Sequence, residues 1–345
     1  MSSLPAALQD LELPVIQAPM AGVQDERLAL AVSAAGGLGS VPCALLDLDA
    51  LEALLERLAA QPLAVNLNFF CHPMAGPDPD AEQRWRQVLA PYYREFALPI
   101  PAPSTAGLRR PIDAAVVDLL ERHQPPVLSF HFGLPAAPLL RRIESWGATV
   151  LASATTLEEG LWLQENGADL VIAQGHEAGG HRGHFLAEAP AATSTLELTR
   201  QLASALALPV VAAGGIAGPE DAARLRAAGA CAVQAGTAYL LCPEADTSAL
   251  HRRALQDAGR PTAITRLFSG RPARGIVNRL MRELDLMSPL PPPFPWASQA
   301  LAPLRAAAEA AGRDDFSPLW SGSAGCRYAG MPAAEVTRDL AGVRR

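Results

Sequence analysis

The chain has 345 residues, enough for one large domain or for one domain with a small accessory unit. Half of the residues are hydrophobic and 18% are charged, which excludes a disordered chain. The net charge of −7 argues against nucleic-acid binding. All 28 basic residues are arginine, so enzymes that need a Schiff-base lysine and nucleotidases with a Walker A lysine are excluded.

Cysteine usage and hydropathy point to the cytoplasm. The five cysteines are odd in number, scattered and without a CxxC pair, a pattern typical of reduced thiols. The first ten residues lack a basic region followed by an apolar core, and no apolar run reaches membrane-spanning length. We therefore expect a cytoplasmic protein with no signal peptide and no membrane association.

Short apolar runs bounded by Gly or Pro recur along the chain, as strands buried on both faces do. Eight strands are predicted, at residues 14–18, 37–42, 63–69, 127–132, 149–154, 170–174, 209–213 and 232–235. Helical patterns lie between them, at residues 27–35, 48–60, 136–146, 157–166, 196–206 and 219–228. Several of these patterns end at a glycine, as helix C-caps do.

Eight strands alternating with helices predict a (β/α)8 barrel rather than a doubly wound open sheet. The open sheet would need a dinucleotide-binding fingerprint after its first strand. Gly37 and Gly39 resemble the start of one, but they lie in the second unit and Pro42 replaces the third glycine. The fingerprint is therefore absent and the barrel is favoured.

Two regions interrupt the repeat and suggest the domain plan. Residues 71–126 are rich in proline, with a helical patch at 82–96, and should project over the barrel rim within a barrel domain of residues 1–242. Residues 243–317 read as a smaller, mostly helical second domain. Residues 318–345 should return to the barrel and end in a helix that begins near Ala333.

Two glycine turns suggest a phosphate site. In a barrel the active site lies at the C-terminal ends of the strands, and phosphate groups often bind after strands seven and eight. Gly214-Gly215 and Gly236-Thr237 follow those two strands and would present backbone N–H groups to an anion, helped by the helix that begins at Pro219. Alternatively, the glycines only permit tight turns.

Amide side chains inside the predicted strands suggest a polar ring ligand. Asn66 and Gln174 would point carboxamides into the site, where the edge of a flavin offers matching donors and acceptors. A buried amide pair that satisfies itself is the alternative. His131, in the middle of the fourth strand, is either a hydrogen-bonded core histidine or a site residue.

The segment from His176 to His184 superficially suggests a zinc protease. The spacing from His176 to His181 is five rather than four, and Gly179-Gly180 would break the helix that the HExxH motif requires. No cysteine or carboxylate cluster completes a zinc site, so we expect no metal. His181 on a glycine loop is better interpreted as an acid–base or anion-binding group.

Together these segments resemble the nitronate monooxygenase family. The resemblance runs from residue 14 to about 240, resumes at 269–275 (SGRPARG) and is weak at 318–322. Its most specific part is EAGGHRG at residues 177–183, and its other motifs are PVIQAPMAG at 14–22, AGGLGS at 35–40, VNL at 65–67, AQG at 173–175, AAGGI at 212–216 and QAGT at 234–237.

The resemblance implies an FMN-dependent barrel that oxidises alkyl nitronates, such as propionate 3-nitronate, with O2 to carbonyl products and nitrite. It implies that His181 is catalytic and that His131 lies near a second active-site histidine. With no lysine, an arginine, a helix N-terminus or His131 would balance the reduced flavin. The FMN-binding positions would be Gln17, Ala18, Pro19, Met20, Asn66, Gln174, Gly179, Gly180, Gly214, Gly215, Gln234, Ala235, Gly236 and Thr237.

Other functions stay open at this point. Related FMN-dependent enoyl-ACP reductases and NADH:quinone reductases take hydride from NAD(P)H on the same kind of barrel. A non-enzymatic FMN carrier and a flavin-free phosphosugar enzyme are further alternatives. Ser323 departs from the family's usual Gln, and residues 69–73 are an uncommon form of the third-strand exit; both departures border the substrate side of the expected site. A homodimer is possible.

Overall fold

A computed structural model describes residue 9, residues 11–105 and residues 107–343. Its strands are β1 Val15–Gln17, β2 Gly39–Pro42, β3 Val65–Phe70, β4 Val127–His131, β5 Thr149–Ala154, β6 Leu170–Gln174, β7 Gly180–His181, β8 Val210–Ala213, β9 Ala232–Ala235, β10 Thr262–Thr265 and β11 Ala273–Ile276. Its α-helices are α1 Glu26–Ala34, α2 Leu48–Ala59, α3 Pro79–Glu95, α4 Ala114–His123, α5 Ala137–Ser145, α6 Leu157–Glu165, α7 Thr195–Ala205, α8 Pro219–Ala227, α9 Ala249–Gln256, α10 Arg279–Glu283, α11 Ala297–Ala310 and α12 Ala333–Leu340.

Eight of these strands form one parallel sheet in the order β1-β9-β8-β6-β5-β4-β3-β2. The two ends of this order meet: Gln17 donates to the carbonyl of Leu38 at 2.9 Å, and Leu38 donates to that of Val15 at 3.0 Å. The predicted (β/α)8 barrel is thus confirmed, with each predicted strand found within two residues at either end.

The barrel interior is closed below the site by apolar side chains. Ile16, Leu38, Leu151, Ile172 and Val211 belong to a single buried cluster inside the sheet. A larger cluster packs the outer face of the strands against the surrounding helices. Because the interior is filled in this way, a ligand has room only at the C-terminal ends of the strands.

The projecting insertion shares a hydrophobic cluster with the C-terminal half of the chain. Trp85 of α3 donates its indole N–H to the carbonyl of Ala297 at 3.2 Å, and Tyr93 donates to that of Ala300 at 2.6 Å. Helix α4, in contrast, packs within the barrel's outer layer. The segment predicted as an insertion therefore includes one barrel helix, while the domain boundaries stay a prediction.

A small antiparallel sheet lies where the sequence suggested mostly helix. Its order is β10-β11-β7, and Ala273 of β11 pairs with His181 of β7. Helix patterns dominate residues 243–317, so the short strands β10 and β11, which carry no long apolar alternation, give little signal. This sheet fastens the C-terminal region to the histidine loop of the barrel.

The chain ends on the barrel, as expected. Helix α12 packs against α1, and the Tyr239 hydroxyl forms a 2.9 Å hydrogen bond with Thr337. The prediction for the first ten residues lies almost entirely outside the described residues. Across the described ranges, no helix has both the length and the apolar character that crossing a bilayer requires.

Candidate active site

A cavity of about 310 Å³ opens at the C-terminal ends of the barrel strands. Strand ends and loops that are far apart in sequence converge on it, as the barrel topology dictates. Fourteen of the sixteen predicted site residues line it: Ala18, Pro19, Met20, His131, Gln174, Gly179, Gly180, His181, Gly214, Gly215, Gln234, Ala235, Gly236 and Thr237. Gln17 and Asn66 do not.

The two glycine turns provide a place for an anion. Gly214 and Gly215 adopt φ values of 117° and 67°, a left-handed region that other residues avoid. Within the described chain, the N–H groups of Gly215, Gly236 and Thr237 have no protein acceptor. The described lining includes no aspartate or glutamate, so nothing in the cavity wall would repel a phosphate.

Asn68, rather than Asn66, reaches the cavity from β3. Asn66 is fully buried, and its Nδ2 donates to the hydroxyls of Ser40 and Ser129 at 2.9 Å. Asn68 lies two residues nearer the strand end and lines the cavity while its Nδ2 donates to Ser129 Oγ at 2.9 Å. Asn68 therefore joins the lining residues, while a ligand contact of Asn66, whose buried Oδ1 has no partner within the described chain, stays a prediction.

Gln17 is a supporting residue below the cavity. Its side chain is fully buried; its Oε1 accepts from the Ser40 N–H at 3.0 Å, and its Nε2 donates to Gln24 Oε1 at 2.8 Å. Gln24 in turn accepts from the N–H of Met20 at 2.9 Å. Gln17 therefore shapes the first loop, whose residues Ala18 to Met20 line the cavity.

The two glutamine side chains that line the cavity differ in whether their hydrogen-bonding atoms already have protein partners. Gln174 is occupied by the protein: Nε2 donates to the carbonyl of His181 at 2.9 Å, and Oε1 accepts from the N–H of Gly183 at 2.8 Å. Gln234 Oε1 is buried and makes no hydrogen bond within the described chain. Since an unpaired buried oxygen is costly, Gln234 is the residue ready to accept from a ligand.

His181 stands in an aromatic wall of the cavity. The rings of Phe294, Trp320, Phe132 and Phe70 lie 5.4, 5.5, 6.2 and 6.5 Å from its centroid. Burial, followed by the charge of Arg109, holds the pKa of His181 well below its ordinary value. The imidazole is therefore neutral near pH 7, which is the state a proton acceptor needs.

His131 supports the backbone of His181. Its Nε2 lies 3.2 Å from the carbonyl oxygen of His181, which can only accept, so Nε2 carries the proton. Nδ1 then accepts from the Ser153 hydroxyl at 3.1 Å. Burial lowers the pKa of His131 to about 3, so the ring is neutral near pH 7. This geometry favours positioning over proton transfer.

Two carboxylates, the half-buried Glu177 and the buried Glu159, hold the loop on which His181 lies. Glu177 accepts from the N–H and the hydroxyl of Thr195 at 2.8 and 2.9 Å. Glu159 accepts from the N–H of Phe185 at 2.6 Å and from the hydroxyl of Thr155 at 2.8 Å. These anchors precede and follow His181, so its position is fixed from both sides.

A C-terminal segment, residues 320–325, covers the glycine loop. The N–H of Ser323 donates to the carbonyl of Glu177 at 3.0 Å, and that of Gly322 donates to Thr237 Oγ1 at 2.9 Å. A Cβ on Gly179 would lie 2.6 Å from the nitrogen of Gly322, so only glycine allows this close approach. The hydroxyl hydrogen of Thr237 remains available for a ligand.

Sequence reasoning missed several lining residues. Arg109, His251 and Arg305 bring positive or basic groups to the cavity, and Trp320 adds an aromatic ring. Arg109 lies in the proline-rich insertion, His251 and Arg305 on helices of the C-terminal region. Nothing in their local sequence distinguishes them from surface residues, because their place depends on how these segments fold over the barrel.

Metal ligation has no candidate among the described residues, where no three His, Cys, Asp or Glu side chains gather.

The buried histidines predict loss of stability in acid. Burial lowers the pKa of His72, His184 and His251 to about 4, as it lowers that of His131 to about 3. Between pH 6.5 and 4 the unfolded chain therefore binds more protons than the folded one, and stability falls as pH falls. We expect the free energy of unfolding in urea to drop by at least about 3 kcal/mol from pH 7 to pH 5. His251→Gln should reduce that drop, and equal stability at both pH values would contradict the assignment.

A family model and two relatives carry the same family name. A family model described as nitronate monooxygenase matches residues 2–341. The nitronate monooxygenase of Pseudomonas aeruginosa is 42% identical over 346 residues, covering 96% of each chain. That of Paraburkholderia phytofirmans is 39% identical, covering 96% of this chain and 92% of its own.

Solved structures extend the likeness to three dimensions. A nitroalkane oxidase from Streptomyces ansochromogenes is 37% identical, with a TM-score of 0.87, covering 98% of this chain and 97% of that one. FabK from Thermotoga maritima, 24% identical with a TM-score of 0.72, covers 98% of this chain and 95% of its own and shares the fold. The chain therefore belongs to the nitronate monooxygenase family.

Proposed function

We propose that this protein binds FMN and oxidises alkyl nitronates, such as propionate 3-nitronate, with O2 to a carbonyl product and nitrite. Family membership and one observation carry the proposal. That observation is a neutral imidazole, His181, on the wall of a cavity whose described lining has free backbone N–H groups and no carboxylate.

The described residues fit FMN at both ends. The N–H groups of Gly215, Gly236 and Thr237, with the nearby start of α8, would hold the phosphate. The unpaired Gln234 Oε1 and the carboxamide of Asn68 would meet the polar edge of the ring system. A filled acidic cavity would have argued against this cofactor.

The chain's own groups prepare the substrate. FMN, when bound, would supply the electron acceptor for this oxidation, with O2 as the terminal oxidant. A nitronate is an anion, and Arg109 and Arg305 give the cavity positive charge with no acidic residue in the described lining to oppose it. For a neutral nitroalkane, His181 accepts the proton from Cα and leaves the nitronate in place. The aromatic residues around His181 limit water at that point.

Anaerobic mixing experiments separate this function from the reductase alternative. We expect the absorbance of flavin in the purified protein to bleach rapidly with propionate 3-nitronate and slowly or not at all with NADH. The opposite order would favour an NAD(P)H-dependent enoyl-ACP or quinone reductase. The 24% identity to FabK supports the shared fold and gives no preference for hydride chemistry. The homodimer stays a prediction for which the described residues offer no deciding feature.

A further inference from the structure

A contact across 88 positions of sequence joins His181 to Ser269. The Nε2 atom of His181 lies 2.8 Å from the hydroxyl oxygen of Ser269, which is buried with 3% exposure. The pairing of β7 with β11, where Arg274 lies opposite Gly180, brings the two segments together. The C-terminal region thus contributes a polar partner to the imidazole of the barrel loop.

The hydroxyl of Ser269 has a second partner, which offers its hydrogen an acceptor other than His181. Ser269 donates to the carbonyl oxygen of Arg271 at 3.2 Å, and its oxygen accepts from the N–H of Arg271 at 3.4 Å. A hydroxyl has one hydrogen, so with that hydrogen directed to the carbonyl it can only accept from His181. Nε2 of His181 is then the protonated nitrogen, and the lone pair lies on Nδ1.

Nδ1 is the ring nitrogen open to the cavity. It makes no hydrogen bond within the described chain, and it is not buried. Because His181 lines the cavity, Nδ1 is exposed to it. We propose that Ser269 holds His181 in the Nε2–H form, so that Nδ1 is the atom that takes the Cα proton from a neutral nitroalkane. Ser269 is then a positioning residue for this reaction, and the inference rests on the proposed function.

The proton transfer is balanced without any further reactant. The Cα–H bond of the nitroalkane breaks, its electron pair stays on the substrate to give the nitronate, and the proton moves to Nδ1. The resulting imidazolium keeps its Nε2–H bond to Ser269, which passes the polarisation to the carbonyl of Arg271. A nitronate already lacks the Cα proton, so its oxidation does not need this step.

Substrate choice therefore distinguishes positioning from general damage. In Ser269→Ala, we expect kcat/KM for nitroethane to fall by about 10- to 100-fold, because one hydrogen bond to a charged group is lost. Activity on ethyl nitronate should stay within about twofold of wild type. Ser269→Thr retains the hydroxyl and should restore most of the nitroethane activity. Ser204→Ala, at a hydroxyl on α7 that bonds only the local carbonyl of Gln201, is the matched control.

Equal losses on both substrates that threonine does not restore would overturn the proposal, as would unchanged nitroethane activity in Ser269→Ala. A second measurement is independent of turnover. In the ¹⁵N-histidine-labelled full-length protein, two-bond ¹H–¹⁵N spectra should show the His181 ring, identified by its absence in His181→Asn, protonated at Nε2. A ring protonated at Nδ1 would overturn the proposal even if nitronate is oxidised. Failure of the wild type to oxidise nitronates would reject the proposed function. The spectrum would still show which ring nitrogen of His181 is protonated.

Discussion

His181→Asn should lower kcat/KM for neutral nitroalkanes by about 10²- to 10⁴-fold, the usual contribution of a general base. Asparagine is close in size and can keep polar contacts, but it has no basic nitrogen to take the Cα proton. The His181 imidazole is neutral and lines the cavity, and its replacement by asparagine leaves no base at that position. Oxygen consumption with nitroethane measures the effect.

Two controls make this result specific. The variant should keep its FMN, because the proposed phosphate contacts come from the glycine turns after β8 and β9. His176→Asn, on the same loop but outside the cavity lining, should stay within about twofold of wild type. If His181→Asn oxidised nitroethane at the wild-type rate, His181 would not be the base.

Gly214→Ala should weaken FMN binding by about 100-fold or more. A Cβ at this position would lie 2.8 Å from both the nitrogen of Ala178 and the hydroxyl oxygen of Thr195, and the backbone φ of 117° is strained for alanine. The turn must therefore move, and Gly215 with it. Losing even two N–H bonds to a phosphate costs about 3 kcal/mol. Titration of the apoprotein with FMN, followed by flavin fluorescence, measures the affinity.

Gly147→Ala separates crowding from backbone strain. Gly147 also has positive φ, 80°, but a Cβ there would have no neighbour within 4 Å, and the residue lies outside the cavity lining. We expect it to lose some stability while its FMN affinity stays within about twofold of wild type. Wild-type affinity in Gly214→Ala would show that the phosphate is bound elsewhere.

The barrel was predictable because its strands carry a strong signal. Runs such as Leu170–Gln174 are buried on both faces, bounded by turn residues and repeated at regular steps. Helix starts were equally readable: Thr156 caps α6 through a 3.2 Å bond to the N–H of Glu159. Such local rules act within a few residues, so strands and helix starts can be predicted without knowledge of the tertiary contacts.

The site was predicted in outline and not in its hydrogen bonds. An inward-facing amide can be read from a strand pattern, but its partners cannot. Gln174 is occupied by the loop from Gly180 to Gly183, and the Nδ2 of Asn66 by two serines of neighbouring strands. Ser269 was visible within the SGRPARG motif, yet its contact with His181 depends on a strand of only two residues. Long-range pairing of that kind leaves almost no local pattern.

The most direct measurement of the central claim is oxygen consumption and nitrite release by the purified full-length protein with propionate 3-nitronate, read together with its absorption spectrum. The account predicts a yellow protein whose released cofactor is FMN, with O2 consumption and nitrite release that both depend on the nitronate. A colourless protein, or a flavoprotein that NADH reduces and the nitronate does not, would contradict it.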